Sequence, residues 1–208
     1  RGIAVVMPAV ETSFYTNTDG GRYFDYVTEE LPRKLCKYFP LSPLREDNFL
    51  AGMSMGGHGT MKLGFSKPEK YAMLGIFSCT NFIDMIGDMI PGGKRHPLNF
   101  IRWQVFGVQD EVGDLSVCHG TENDNRYLAR LASESGKPLP KIFACCGRQD
   151  GCHDDEMEDL ALFRSFPNPF DVTFYDCDGV HNFEFWDKWL AVFIQQLPIR
   201  QRSHEVLS

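Results

Sequence analysis

The chain has no apolar run approaching the ~20 residues a helix needs to cross a bilayer, which argues against a membrane span. It has no basic stripe, and its formal net charge is −7. A nucleic-acid partner is therefore not expected. No C-x-x-C pair occurs, and the seven cysteines are odd in number and mostly set in apolar or amphipathic surroundings. That pattern suits buried thiols in a reducing compartment better than a disulfide framework. Cys118-His119 and Cys152-His153 are adjacent pairs, but the second pair that a structural zinc site requires is missing. Internal repeats and low-complexity tracts are absent, and no secretory leader is visible after Arg1.

What is present fits one domain spanning residues 1–208, with 43% apolar residues to fill a core. Residues 2–8 (G-I-A-V-V-M-P) read as a buried strand closed by proline. Apolar residues at helical spacing run from Tyr23 to Phe39, with acids early and bases late. Further strands are expected at 48–51, 71–78, 141–146 and 172–176, and helices at 57–65, 82–90, 124–135, 154–166 and 183–197. Asn123 or Thr121 is the expected cap of the 124–135 helix. Alternation of strand and helix predicts a mostly parallel sheet covered on both faces. The long stretch 81–140 interrupts that alternation and reads as a helical, cap-like insertion.

Gly52-Met53-Ser54-Met55-Gly56 fits G-x-S-x-G between a strand and a helix. A serine between glycines is often only a turn. The strand-turn-helix context favours a nucleophile elbow, where glycine neighbours allow the helix start to crowd the strand end. The Met55 N–H then points toward the same space as the Ser54 hydroxyl, as an oxyanion donor would.

In open parallel sheets, reactive residues sit at strand carboxyl ends. Asp150 follows the 141–146 strand and His181 follows the 172–176 strand. The order Ser54, Asp150, His181 is that of an α/β-hydrolase. The imidazole takes the serine proton and returns it to the leaving group; the carboxylate fixes the tautomer. Asp154 and Asp155 compete for the acid role, and His58 is the next histidine, though from the elbow helix it faces the serine poorly. Trp103 and Phe106 are candidate walls of a substrate pocket, with ordinary core packing as the alternative.

Gly52 to Gly59 (G-M-S-M-G-G-H-G) resembles the elbow of the esterase D group. Residues 7–16, 120–124, 146–150 and 179–187 are similar to its tributyrin-esterase branch, and the similarity extends to about Leu197. The resemblance implies a cytoplasmic serine carboxylesterase for short acyl esters, with no metal or organic cofactor. It carries Ser54 over as nucleophile, Asp150 as acid and His181 as base. Related branches act on S-formylglutathione or on carbohydrate acetyl and feruloyl esters. Gly151-Cys152 departs from the branch, where an apolar residue commonly follows the acid.

The resemblance also makes residues 2–8 the fourth strand of an α/β-hydrolase fold. The first strands of that fold are then absent from this chain, along with the His-Gly loop that donates the second oxyanion N–H. One missing donor typically costs ~10²–10³ in rate. The expectation is a fragment of a hydrolase of about 260 residues, completed by a separate N-terminal segment. A homo-oligomer is compatible with the sequence, and an inactive or binding-only fragment is the reading of another class.

Overall fold

The computed structural model describes residues 2–84, 99–107 and 115–199. Its core is a four-stranded, all-parallel sheet in the order β1 (Phe49–Met53), β2 (Met73–Phe77), β3 (Lys141–Gly147) and β4 (Val172–Cys177). Registers pair Phe49 with Met73, Gly75 with Phe143 and Gly147 with Cys177. All five residues of β2 are buried, as expected of a central strand covered on both faces.

The period of two along each strand divides the core. Leu74, Ile76, Ile142 and Ala144 join Met61, Phe65, Leu160 and Phe163 in one cluster. That side carries α2 (Met55–Ser66), α4 (Asn125–Glu134) and α5 (His153–Ser165). Met73, Phe77, Phe143 and Cys145 face the other way, onto Trp186, Trp189 and Phe193 of α6 (Phe183–Gln196). A short helix α3 covers Asn99–Gln104, and a two-stranded antiparallel ribbon pairs Asn17–Thr18 with Gly21–Arg22.

The expected helix from Tyr23 to Phe39 is interrupted. A short turn at Tyr23–Asp25 passes through a π-turn at Tyr26–Glu30 into α1 (Leu31–Tyr38). Pro32, in the first turn of α1, has no N–H to give the Thr28 carbonyl. That carbonyl instead accepts from Lys70 Nζ at 2.7 Å.

Residues 2–8 form no strand. The segment is irregular, with Val5 70% and Met7 88% exposed. A strand requires a neighbour to satisfy its N–H and C=O groups, and this run has none among the described residues. The outer edge of β1 is likewise unpaired there. The cap of α4 is Asp124, not Asn123 or Thr121: its carboxylate accepts from Arg126 N and Tyr127 N. Most of the expected 82–90 helix, the central part of the 81–140 insertion and the tail from Arg200 lie outside the described residues.

Candidate active site

β1 ends at Met53 and α2 begins at Met55, so Ser54 alone makes the turn. Its backbone sits at φ 52, ψ −120, a conformation that costs a non-glycine residue of order 1–3 kcal/mol and persists only when its surroundings enforce it. Ser54 N donates to Phe77 O at 2.9 Å, and His58 N donates to Ser54 O at 3.1 Å. The glycines make room for these contacts. A Cβ on Gly52 would lie 2.1 Å from Gly56 O, and one on Gly57 would lie 2.6 Å from Cys79 Cβ.

The turn after β3 carries Asp150 inward. Asp150 N donates to Gly147 O at 2.9 Å, and Cys152 N donates to Asp150 Oδ1 at 3.0 Å. The loop after β4 is tied to the same turn: Gln149 N donates to Gly179 O at 3.1 Å, and Gly179 N donates to Gln149 Oε1 at 2.8 Å. These ties bring His181 over both partners. Its Nδ1 lies 3.1 and 3.0 Å from Asp150 Oδ1 and Oδ2, and its Nε2 lies 2.9 Å from Ser54 Oγ. A carboxylate only accepts, so it selects the tautomer with hydrogen on Nδ1 and leaves Nε2 free to accept the Ser54 proton.

The competing residues are placed elsewhere. Asp154 is 97% exposed at its side chain and holds His153 Nδ1 at 2.9 Å. Asp155 is exposed on α5. His58 is fully buried under Phe14 and Phe82, with ring centroids 6.2 and 5.2 Å away, and its Nδ1 accepts from Asn125 Nδ2 at 3.1 Å. Burial pushes its pKa down to about 3.

Met55 is the first residue of α2, which puts its N–H at the positive end of that helix, directly after Ser54. Phe106 is half-buried against Phe14, 6.0 Å between centroids, and Phe14 also meets Phe82 at 5.6 Å. Trp103 is 49% exposed. Sequence reasoning missed Phe14 as the ring that meets both Phe106 and Phe82. It also missed that the Trp186 ring on α6 stands edge-on to His181, centroids 4.8 Å apart.

Asp150, Cys152 and His181 offer ligand atoms within 4.8 Å of one another, which raises the question of a metal. His181 Nδ1 is already held by Asp150, and burial pushes the Cys152 thiol up to about 12. At neutral pH the cluster therefore presents a protonated thiol and an engaged imidazole, a poor donor set for a cation. Behind it, burial drives the Glu156 carboxyl well above its usual range; Glu156 Oε2 accepts from Cys79 N at 2.8 Å.

Comparison with known proteins identifies the family. The Esterase family model ("Putative esterase") matches residues 3–198. An acetyl esterase of Caldicellulosiruptor saccharolyticus is 31% identical over 196 residues, covering 91% of this chain and 69% of that protein. Two solved structures from Staphylococcus aureus are also similar. The fluorophosphonate-binding serine hydrolase FphF superposes with a TM-score of 0.75 at 30% identity, covering 92% of this chain and 69% of its own. The S-formylglutathione hydrolase FrmB superposes with a TM-score of 0.73 at 31% identity, covering 92% and 70%.

Proposed function

The chain belongs to the Esterase family and has the α/β-hydrolase fold, and from that premise we propose that it hydrolyses short acyl esters through an acyl-enzyme on Ser54. A carboxylic ester hydrolase is what the family and both serine-hydrolase neighbours support. One observation carries the finer reading: Ser54 Oγ, the His181 ring and the buried Asp150 carboxylate form a single hydrogen-bonded line.

In this reading His181 Nε2 takes the Ser54 proton as Oγ attacks the acyl carbon. The imidazolium, stabilised by Asp150, then protonates the departing alkoxide. Water, activated by the same nitrogen, releases the acid and restores the serine. The Met55 N–H stabilises the tetrahedral oxyanion. The aromatic group of Phe14, Phe82 and Phe106 supplies the acyl wall, with Trp103 at its rim. The tributyrin-esterase branch, a single domain with a cap around 81–140 and a cytoplasmic setting complete the proposal; among the described residues no helix is long and apolar enough to cross a membrane.

Hydrolysis of p-nitrophenyl acetate, butyrate and octanoate, alongside S-formylglutathione, tests this. Acetate and butyrate are expected to turn over fastest, with Ser54 labelled by a fluorophosphonate probe. Preference for S-formylglutathione would move the chain to the branch that FrmB represents. Folded protein that neither hydrolyses these esters nor takes the label would overturn the enzyme reading.

A further inference from the structure

Asp150 holds His181 only at Nδ1. Those bonds leave the ring free to swing about its Nδ1 end, and the His181 side chain is more than a third exposed. The missing restraint comes from the first turn of α6. Asn182 caps that helix and Trp186 N donates to Asn182 O at 3.2 Å, so the backbone sets Trp186 close behind His181. The two rings stand at 86° with centroids 4.8 Å apart.

Trp186 is itself fixed from the sheet. Its Nε1–H donates to Ser78 Oγ at 2.9 Å, and both residues are buried. Ser78 stands one residue beyond β2, at φ 49, with its N–H bound to Cys145 O at 2.9 Å. A non-glycine residue is rarely left in that region unless its surroundings hold it there. Trp189, one turn further along α6, provides a contrast. It is comparably buried against Phe143 and Tyr175, yet its Nε1–H has no partner among the described residues. Core packing alone therefore does not require an indole N–H on this helix to be bound. The N–H that is bound belongs to the indole touching His181.

We propose that Trp186, anchored by Ser78, is a positioning residue that fixes the plane of the His181 imidazole. The proposal rests on His181 being the base. Asp150 restrains the ring along its Nδ1 axis and Trp186 restrains it across that axis, which keeps Nε2 aimed at Ser54 Oγ. Misplacement of a reacting group by about 1 Å can cost ~10² in rate, so the restraint acts on kcat rather than on substrate affinity.

The test compares Trp186→Leu, Trp186→Phe, Ser78→Ala and the core control Trp189→Phe in the full chain. Four quantities are read: kcat and KM on p-nitrophenyl acetate, the His181 titration by ¹⁵N NMR, and the thermal midpoint. Trp186→Leu is expected to lower kcat about 10²-fold with KM within about threefold, and to shift the His181 titration. Trp186→Phe, which keeps a ring, recovers part of the loss. Ser78→Ala, which removes one hydroxyl, lowers kcat about tenfold. Trp189→Phe lowers the thermal midpoint but leaves kcat and the His181 titration at wild-type values.

Wild-type kcat and titration in folded Trp186→Leu would overturn the proposal. So would a Trp189→Phe variant that mimics Trp186→Leu, since the effect would then be general to the core. Should Trp186→Leu not fold, Ser78→Ala decides by the same criteria. The NMR titration needs no substrate. A shifted His181 in a protein without esterase activity would sustain the positioning role while refuting the function proposed above.

Discussion

Two histidines flank Ser54, and the same side chain has been given opposite properties. His58 is the nearer in sequence: its N–H binds Ser54 O, and its ring lies under Phe14 and Phe82. Its Nδ1 is held by the Asn125 amide, and burial, helped by the Lys62 charge, holds its pKa at about 3. His181 is 127 residues from Ser54 along the chain, yet its ring lies between the serine hydroxyl and a buried carboxylate. An imidazole shut in an apolar shell cannot trade protons near neutral pH. One with a carboxylate on one nitrogen and a hydroxyl on the other can. Position at a strand end, rather than closeness in sequence, separates the two.

The largest effect expected from breaking this contrast is that of Ser54→Ala, which removes the hydroxyl that lies against His181 Nε2. Ester hydrolysis should fall by at least ~10⁴, with the thermal midpoint nearly unchanged. Comparable turnover in that variant would mean that neither histidine serves this serine.

Asp150→Asn is the sharper cut. An amide keeps the shape of the carboxylate but can donate to Nδ1, which favours the tautomer with hydrogen on Nε2. His181 would then resemble His58, a histidine without an acid. A fall in kcat of ~10³–10⁴ is expected, with KM little changed. Retention of more than a tenth of wild-type kcat would show that the carboxylate is not what distinguishes the two sites.

The parallel sheet was legible in the sequence, and so were the strand ends that carry the candidate residues. Ser54, Asp150 and His181 each follow an apolar strand directly, and strand-end position is a local property that a single sequence displays. What failed was non-local. Residues 2–8 have the composition of a strand, but a strand exists only with a neighbour, and none of the described residues supplies one. Pro32 lies inside a run of helical periodicity, and beside the π-turn that accommodates it Lys70, 42 residues from Thr28, donates to the Thr28 carbonyl. Asp124 was passed over as a cap because periodicity placed it inside the helix rather than in front of it. The packing of Phe14 on His58, and of Trp186 on His181, joins segments whose contact no periodicity reveals.

The His58 side of the comparison has its own test, in stability. The ordinary imidazole value is 6.5 and the folded value is about 3. Between these the unfolded chain binds more protons than the folded one, so stability falls as pH drops through that window, by up to about 1.4 kcal/mol per pH unit. Above pH 6.5 the contribution is complete and flat. Glu156 acts with the opposite sign. Burial raises its folded pKa from 4.5, so its contribution is present at low pH and is lost as pH rises toward the folded value. Urea midpoints from pH 3.5 to 8 should therefore show a shallower acid limb in His58→Gln. An unchanged slope in that variant would mean that His58 is not held neutral by its shell.

The smallest expected effects come from the two helix caps that stand beside these histidines. Asp124 precedes Asn125, the partner of His58; its carboxylate accepts from Gly120 N, Arg126 N, Tyr127 N and Asn81 Nδ2. Asn182 follows His181 directly, and among the described residues its Oδ1 accepts only from Phe185 N, at 2.9 Å. Asp124→Ala frees four donors, three of them backbone N–H groups, and should cost about 2 kcal/mol in urea denaturation. Asn182→Ala frees one donor at a solvent-facing helix end and should cost about 1 kcal/mol or less. Equal losses would mean that the two helix starts are held by packing rather than by their caps. A fall in kcat for Asn182→Ala beyond about threefold, at unchanged KM, would show that the cap also helps hold the His181 loop.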